Sequence, residues 1–502
     1  MSFVLFRARN LRNWVTGACL PLALAACHRH SEESAPLPVA ARAGESSAAA
    51  NAEGAPSANA SVNARAKANA AKTNADRRDA CVFRAGASPR DTIDQSDPIG
   101  SKIPIDHFVV VLQENRSFDQ YFQALPEAGQ PDVDVAPPSY ENPDPSGEGE
   151  IVHPYLLSDP CIPDVPHNWI AVHHQLADGK MTGFVAAANP DGKRALGYYD
   201  QSTLGYYYAL ANTFAIGDRY FASVPGPTFP NRMFFLSATS FGHAKNTPPP
   251  PRDEESTLFH QLEEKGLSWI VYSEGSTFEE DMYPRLHSEK GEHFRPMSEF
   301  YTDAQAGRLP FFAWVESTYE GELPTDEHAP ANVQIGQAFV ARVIGNVMNS
   351  TTWPRTALFV TYDEHGGFYD HVKPPHACPP DEAPPNLKGI SSAVRFDQFG
   401  ARVPFIVVSP FARAHFVSHR VHSHTSVLRM VQARAELPAL TDRDANAEPP
   451  FELFDFEHPP FLVPPTLPQA VIDPVQKKRC IDVAREAQAK KKKDDAAHPS
   501  TG

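Results

Sequence analysis

Five short apolar runs mark the middle of the chain: Phe108 to Leu112, Ser268 to Tyr272, Phe311 to Val315, Ala357 to Thr361 and Phe405 to Ser409. Each has the length of a buried strand. Between the third and the fourth, Ile335, Phe339, Val340, Val343 and Val347 recur at helical spacing, which predicts a helix laying one apolar stripe on a sheet. Apolar runs alternating with helical patterns predict an α/β fold with a mainly parallel sheet covered by helices. Hydrophobic residues make up 41% of the chain, enough for a sizeable core, and the 49 prolines predict long, stiff connections.

Two runs break abruptly into polar residues. Val109 to Leu112 is followed by Gln113-Glu114-Asn115-Arg116-Ser117-Phe118-Asp119, and Ala357 to Thr361 by Tyr362-Asp363-Glu364-His365-Gly366-Gly367. Ligands of open α/β sheets bind beyond the carboxyl ends of strands. Glu114 and Asn115 therefore read equally as oxygen ligands for a hard cation and as caps of the next helix. Asp363 and Glu364 repel each other, and burying that repulsion is costly without a cation, so metal ligation ranks above exposed loop acids. In Gly226-Pro227-Thr228-Phe229-Pro230-Asn231-Arg232, Pro230 suits the first turn of a helix and sets Thr228 just ahead of its N-terminus. Backbone amides there favour an oxyanion or a phosphate, yet by itself Thr228 reads as an ordinary cap. His167 and His328 stand in polar loops and titrate in the range that acid–base chemistry needs, but with 21 histidines in the chain the residues alone assign neither a role.

The flanks differ from the middle. Arg7, Arg9 and Arg12 precede an apolar stretch ending in Leu24-Ala25-Ala26-Cys27, the pattern of an export signal over residues 1–26. It resembles a bacterial lipobox, which implies lipidation of Cys27 and anchoring by acyl chains with no spanning helix. His28 after that cysteine, by resemblance to enteric lipoproteins, points to the outer membrane or the periplasmic face. Residues 27–80 are dominated by Ala, Ser, Asn and Gly and predict a flexible tether. A catalytic domain over 81–480 and a charged tail over 481–502, with Lys490 to Lys493, complete the expected organisation. The formal net charge of -16 argues against nucleic acid as a partner. Outside the signal, Cys81, Cys161, Cys378 and Cys480 lack CxxC spacing, so disulfides are expected ahead of a zinc site, with all pairings open.

The segments Gln113 to Asp119, Gly226-Pro227-Thr228 with Pro230-Asn231-Arg232, Tyr362-Asp363-Glu364 with Gly366-Gly367 and Asp370-His371-Val372, and Arg402-Val403-Pro404 resemble the bacterial phosphoesterase family of acid phosphatases and phospholipases C. The resemblance spans about Ile103 to Leu437 and implies an alkaline-phosphatase-like three-layer sandwich. It implies a divalent metal held by Glu114, Asn115, Thr228, Asp363 and Glu364, with Thr228 as nucleophile and a phosphothreonine intermediate. It also implies phosphate contacts at Asn115, His167 and His328, with His287 a looser match, and a histidine protonating the leaving oxygen. The family often shows His-Pro where this chain has His328-Ala329-Pro330, and His365 fills a position that the pattern leaves open. Oxygen ligation favours magnesium, calcium or manganese over zinc. The larger phospholipases C of the family carry further C-terminal domains, so an acid-phosphatase-like monoesterase is expected ahead of a phospholipase C. A non-catalytic surface-binding lipoprotein is the alternative from another class. A sulfatase is disfavoured, because its Cys or Ser nucleophile motif is not found.

Overall fold

The five apolar runs pair side by side in one sheet. The computed structural model describes residues 73–497 apart from 147–148, 253–255 and 392, with side chains described up to residue 486. The signal segment 1–26, Cys27, the tether as far as residue 72 and the side chains of Lys490 to Lys493 lie outside the described residues. Numbering only the strands of the main sheet, these are β1 (His107–Gln113), β2 (Ala215–Gly217), β3 (Trp269–Ser273), β4 (Phe294–Pro296), β5 (Phe312–Glu316), β6 (Thr356–Tyr362), β7 (Phe405–Val408) and β8 (Phe416–Ser418). Their spatial order is β8-β2-β7-β6-β1-β5-β3-β4. All neighbouring pairs are parallel except β6–β7 and β7–β2. The expected mainly parallel sheet is present, with one reversed strand that apolar content alone does not reveal.

The centre of the sheet is dry. Phe108, Val109, Val110, Val111 and Leu112 are fully buried, as a central strand covered on both faces requires. The helix Val333–Met348 buries Ile335, Phe339, Val340, Val343 and Val347, and packs against the helix Gln201–Thr213 and strand β6. The helix Thr228–Ser237 packs instead against the helix His424–Ala435. Pleat parity separates these layers, because successive side chains of a strand point to opposite faces. Gln113 and Tyr362 are opposite each other in register and face the Gln201–Thr213 layer, where both they and Tyr207 bond Glu327. Trp314, aligned with Val110, faces the other layer and meets the ring of Phe235. Helices on both faces of a mainly parallel sheet make the three-layer sandwich.

Two disulfides close long loops, Cys81–Cys378 and Cys161–Cys480, so the expected use of these cysteines is met and their pairing is resolved. Within the stretch read as tether, Asn74–Asp79 forms a short helix capped by Thr73. The helix Pro474–Ala497 runs across residue 480 into the segment read as tail. Among the described residues no helix is long and apolar enough to cross a membrane.

Candidate active site

The register that aligns β1, β5 and β6 also aligns the residues just beyond their carboxyl ends. Leu112 is level with Glu316 on one side and Thr361 on the other, so Glu114, Glu316 and Asp363 leave the sheet at one edge with the same pleat parity. All three turn toward the helix Thr228–Ser237, where the fully buried Arg232 receives them. Its guanidinium donates to Glu316 Oε1 at 2.5 Å, Glu114 Oε1 at 3.2 Å and Asp363 Oδ2 at 3.2 Å, and it lies over the ring of Phe278 at 4.2 Å. One cation thus serves three buried acids, so acidic groups outnumber the cation that receives them.

The acidities report that imbalance. Burial pushes the Glu114 carboxyl well above its ordinary range; Arg232 opposes this and Asp363 reinforces it. Asp363 is pushed up to about 7 by burial, with Arg232 opposing and Glu364 adding to the rise. Glu364 goes the other way, because His167 and His365 outweigh its burial.

Thr228 opens its helix without capping it. Pro227 holds the N-cap position and makes no side-chain cap bond, so the Thr228 hydroxyl is not used as the ordinary cap that its sequence context suggested. Asn231, one turn along, fixes the approach: it accepts from the Val224 amide at 3.0 Å and donates to the carbonyls of Gly226 at 2.9 Å and Pro227 at 3.0 Å. Thr228, Glu114, Asp326 and His328 line one cavity of about 510 Å³. Much of its remaining wall is apolar, including Phe229, Phe278, Tyr319, Leu323 and Ile335.

Asn115 and Glu364 meet at His167. His167 Nε2 is 3.4 Å from Asn115 Nδ2 and 3.7 Å from Glu364 Oε1, and its Nδ1 is 2.6 Å from the carbonyl of Val165. Asn115 adopts φ +64, a left-handed conformation that asparagine tolerates better than most residues. Gly366 lies against it: a Cβ there would come 2.2 Å from the Asn115 carbonyl oxygen, so the first glycine after His365 is a steric requirement. The buried Asn115 Oδ1 and Glu364 Oε1 accept no hydrogen bond among the described residues. The rings of His167 and His328 are 5.3 Å apart, edge to face. Burial lowers His167 less than Glu364 and Asp164 raise it, so it lies above its ordinary value, whereas burial and the charge on His167 hold His328 below.

The structure therefore gathers Glu114 and Asp363 at Arg232, Asn115 and Glu364 at His167, and Thr228 and His328 on the cavity that Glu114 also lines. The ligand atoms of Glu114, Asp363 and Glu364 do not all fall within 4.8 Å of one another. His287 stands apart on the helix Pro284–Glu289, partly exposed, against Glu280 and Phe294. Residues that sequence reasoning missed are Arg232, Asn231, Glu316 and His365. Glu316 carried a usable signal, since it is an acid that ends an apolar run just as Glu114 and Asp363 do. His365 Nδ1 lies 3.3 Å from Glu364 Oε2 and its Nε2 3.0 Å from Gln175 Oε1, contacts that no local pattern announces.

Known proteins similar to this chain identify its family. The Phosphoesterase family model matches residues 105–438. Phospholipase C B of Mycobacterium tuberculosis (strain ATCC 25618 / H37Rv) is 31% identical over 432 residues, covering 73% of this chain and 81% of its own length. Non-specific phospholipase C1 of Arabidopsis thaliana is 33% identical over 381 residues, covering 68% of this chain and 70% of its own. Among solved structures, the lipoteichoic acid synthase LtaP from Listeria monocytogenes aligns with a TM-score of 0.36 at 11% identity, over 75% of this chain and 81% of that one. With a family match over well more than half of its length, and with relatives at this identity, the chain belongs to the Phosphoesterase family and is a phosphoric ester hydrolase.

Proposed function

We propose that Thr228 is the nucleophile of a metal-dependent hydrolysis, and that the substrates are phospholipid headgroup diesters ahead of small phosphate monoesters. The observation that carries the reading is a threonine at a helix N-terminus, free of capping duty, on a cavity wall shared with Glu114 and His328.

The residues present fit a divalent cation. Among the described residues Asn115 Oδ1 and Glu364 Oε1 are buried oxygens that accept no hydrogen bond, and three carboxylates share the Arg232 guanidinium. Glu114, Asn115, Thr228, Asp363 and Glu364, an all-oxygen set suited to a hard ion, would hold it once the carboxylates of Glu114, Asp363 and Glu364, which stand apart here, draw together. When bound, such an ion supplies positive charge that acidifies a hydroxyl and offsets charge on a phosphoryl group.

The protein's own residues do the rest. Thr228 Oγ1, its proton first lost to solvent, forms a bond to phosphorus as the deprotonated oxygen and is released in that form at the end of the cycle, and the bond from phosphorus to the leaving oxygen breaks with its electron pair. His328, which faces the cavity, gives that oxygen a proton; an anionic phosphoryl group beside the ring raises its pKa toward the working range. Water then attacks the phosphothreonine, a proton returns to His328, and Thr228 is freed. His167 and Asn115 bind phosphoryl oxygens.

The substrate preference rests on the apolar wall, whose rim residues Tyr319 and Leu323 are exposed large hydrophobics that a small monoester would leave unused. The family's phospholipases C, including the relatives named above, point the same way. Anchoring through a lipid on Cys27 is part of the proposal and would keep the enzyme beside its substrate.

Thr228→Ala is expected to lower kcat at least 10³-fold on p-nitrophenylphosphorylcholine, and chelation is expected to abolish turnover by the native enzyme until a divalent ion is restored. Full activity in Thr228→Ala ends the mechanism, and absence of turnover with every divalent ion supports a non-catalytic binder. Phosphatidylcholine against p-nitrophenyl phosphate decides the substrate class: exclusive monoester cleavage restores the acid-phosphatase reading.

A further inference from the structure

The turn that carries Asp326 and His328 into the cavity is held from behind by the residue between them. Glu327 is fully buried and adopts φ +71, a left-handed conformation that a side chain with a Cβ rarely takes. Something must impose it. The Glu327 carboxylate accepts from Tyr121 and Tyr207 hydroxyls at 2.5 Å each, from the Tyr362 hydroxyl at 2.6 Å and from Gln113 Nε2 at 3.1 Å. Those four donors come from the helix Phe118–Phe122, the helix Gln201–Thr213 and the ends of β6 and β1. Gly336 makes the space: a Cβ there would lie 2.1 Å from Glu327 Cγ.

The backbone of the turn is stitched to the same motif after β1. Gln113 Nε2 donates to the Thr325 carbonyl at 2.8 Å, the Glu114 amide to the Asp326 carbonyl at 2.8 Å, and Arg116 Nε and Nη2 to the Glu327 carbonyl at 2.8 and 2.5 Å. Side chain and carbonyl of Glu327 thus point away from the cavity while its two neighbours point into it, the alternation that φ +71 allows.

We propose that Glu327 is a positioning residue for His328: the buried three-tyrosine socket fixes the left-handed turn and through it the imidazole, which lines the same cavity as Thr228. The role is distinct from metal or phosphate binding, because Glu327 is absent from the cavity lining. It rests on the reading of His328 as proton donor only for its kinetic consequence.

The test uses the full chain with its divalent ion and compares Glu327→Ala, Glu327→Gln and Tyr207→Phe with His328→Gln. The His328 ring is followed by long-range ¹H–¹⁵N correlation, assigned by its loss in His328→Gln, and kcat is measured on a p-nitrophenyl and an alkyl phosphate ester. Glu327→Ala is expected to shift or broaden the His328 signal. It should also lose at least tenfold more kcat on the alkyl ester, which needs a proton, than on the nitrophenyl ester, with KM within twofold. Tyr207→Phe is expected to show the same signature weakly, and Glu327→Gln, which keeps shape and an acceptor oxygen, to recover most of it. An unshifted His328 signal with equal loss on both esters, in folded Glu327→Ala or, should that variant not fold, in Tyr207→Phe, overturns the proposal. If His328→Gln treats both esters alike while the His328 signal still moves in Glu327→Ala, the positioning role stands and the proton-donor reading falls.

Discussion

Arg232 concentrates the physics of this site in one side chain. It is fully buried and holds Glu114, Glu316 and Asp363 together. Removing one partner of a buried ion pair leaves charge without compensation and costs about 3–5 kcal/mol. Arg232→Gln is therefore expected to lower unfolding stability by about 3 kcal/mol in the presence of chelator, with part of the loss recovered when divalent ion is added, as chemical denaturation would measure. Arg232→Lys keeps the charge but cannot reach three carboxylates from one planar group, so it should remain destabilised. A loss below about 0.5 kcal/mol, the size of an ordinary surface change, would show that the carboxylates are relieved by some other group. At this scale the sequence was only partly legible. The acids after β1 and β6 were identified by type and position, whereas Arg232 looked like one more residue of a motif, because its three partners lie 84 to 131 positions away.

Among the elements, the C-terminal helix Pro474–Ala497 has the least expected place. Cys480 bonds Cys161, and both Cys480 and Ala484 line the cavity that holds Thr228. Arg485 adds a two-pronged ion pair to Glu322, at 2.9 Å on each oxygen, and Glu322 belongs to the same lining. A disulfide across 319 positions chiefly limits the unfolded chain and typically adds about 2–4 kcal/mol. Replacing both Cys161 and Cys480 by serine should lower stability by that order. It should also raise KM for long-chain phosphatidylcholine severalfold while kcat on a soluble short ester stays within twofold. An unchanged KM would mean that the helix is no part of the substrate wall. The apolar content of the cavity-facing turn is slight, and a run rich in Lys, Asp and Ala reads locally as solvated; the tethering cysteine and the Arg485–Glu322 ion pair, both contacts with distant segments, bring it to the site.

Across the whole molecule, a second buried network ties distant segments together. Arg402 donates to Asp119 at 2.7 Å and to Asp370 at 2.9 Å, and His371 bonds Asp119 at 2.7 Å and Asp134 at 3.2 Å. Burial pushes His371 down, but the charge of Asp119 and bonds to both acids raise it to about 9, while the bond from His371, against burial, holds Asp134 at about 2. A raised histidine contributes stability that is complete below its unfolded value of 6.5 and is lost as pH rises through about 9. The depressed Asp134 contributes above 3.8 and loses its share as pH falls through about 2, so the joint window runs between those unfolded values. His371→Gln should then destabilise on the order of 3 kcal/mol more at pH 5.5 than at pH 10; parallel pH–stability curves for the two proteins would refute it. The sequence by itself determined the α/β class, the five principal strands, the helix over the apolar stripe and the acids at the strand ends. Burial periodicity and chain polarity are local, and a parallel strand has a functional end wherever it lies. Tertiary structure alone decided the reversed β7, the short edge strands, the disulfide pairing, and which charges meet at Arg232 and Glu327. Those depend on register between segments hundreds of residues apart, where a single pleat step separates a side chain in the site from one in the opposite layer.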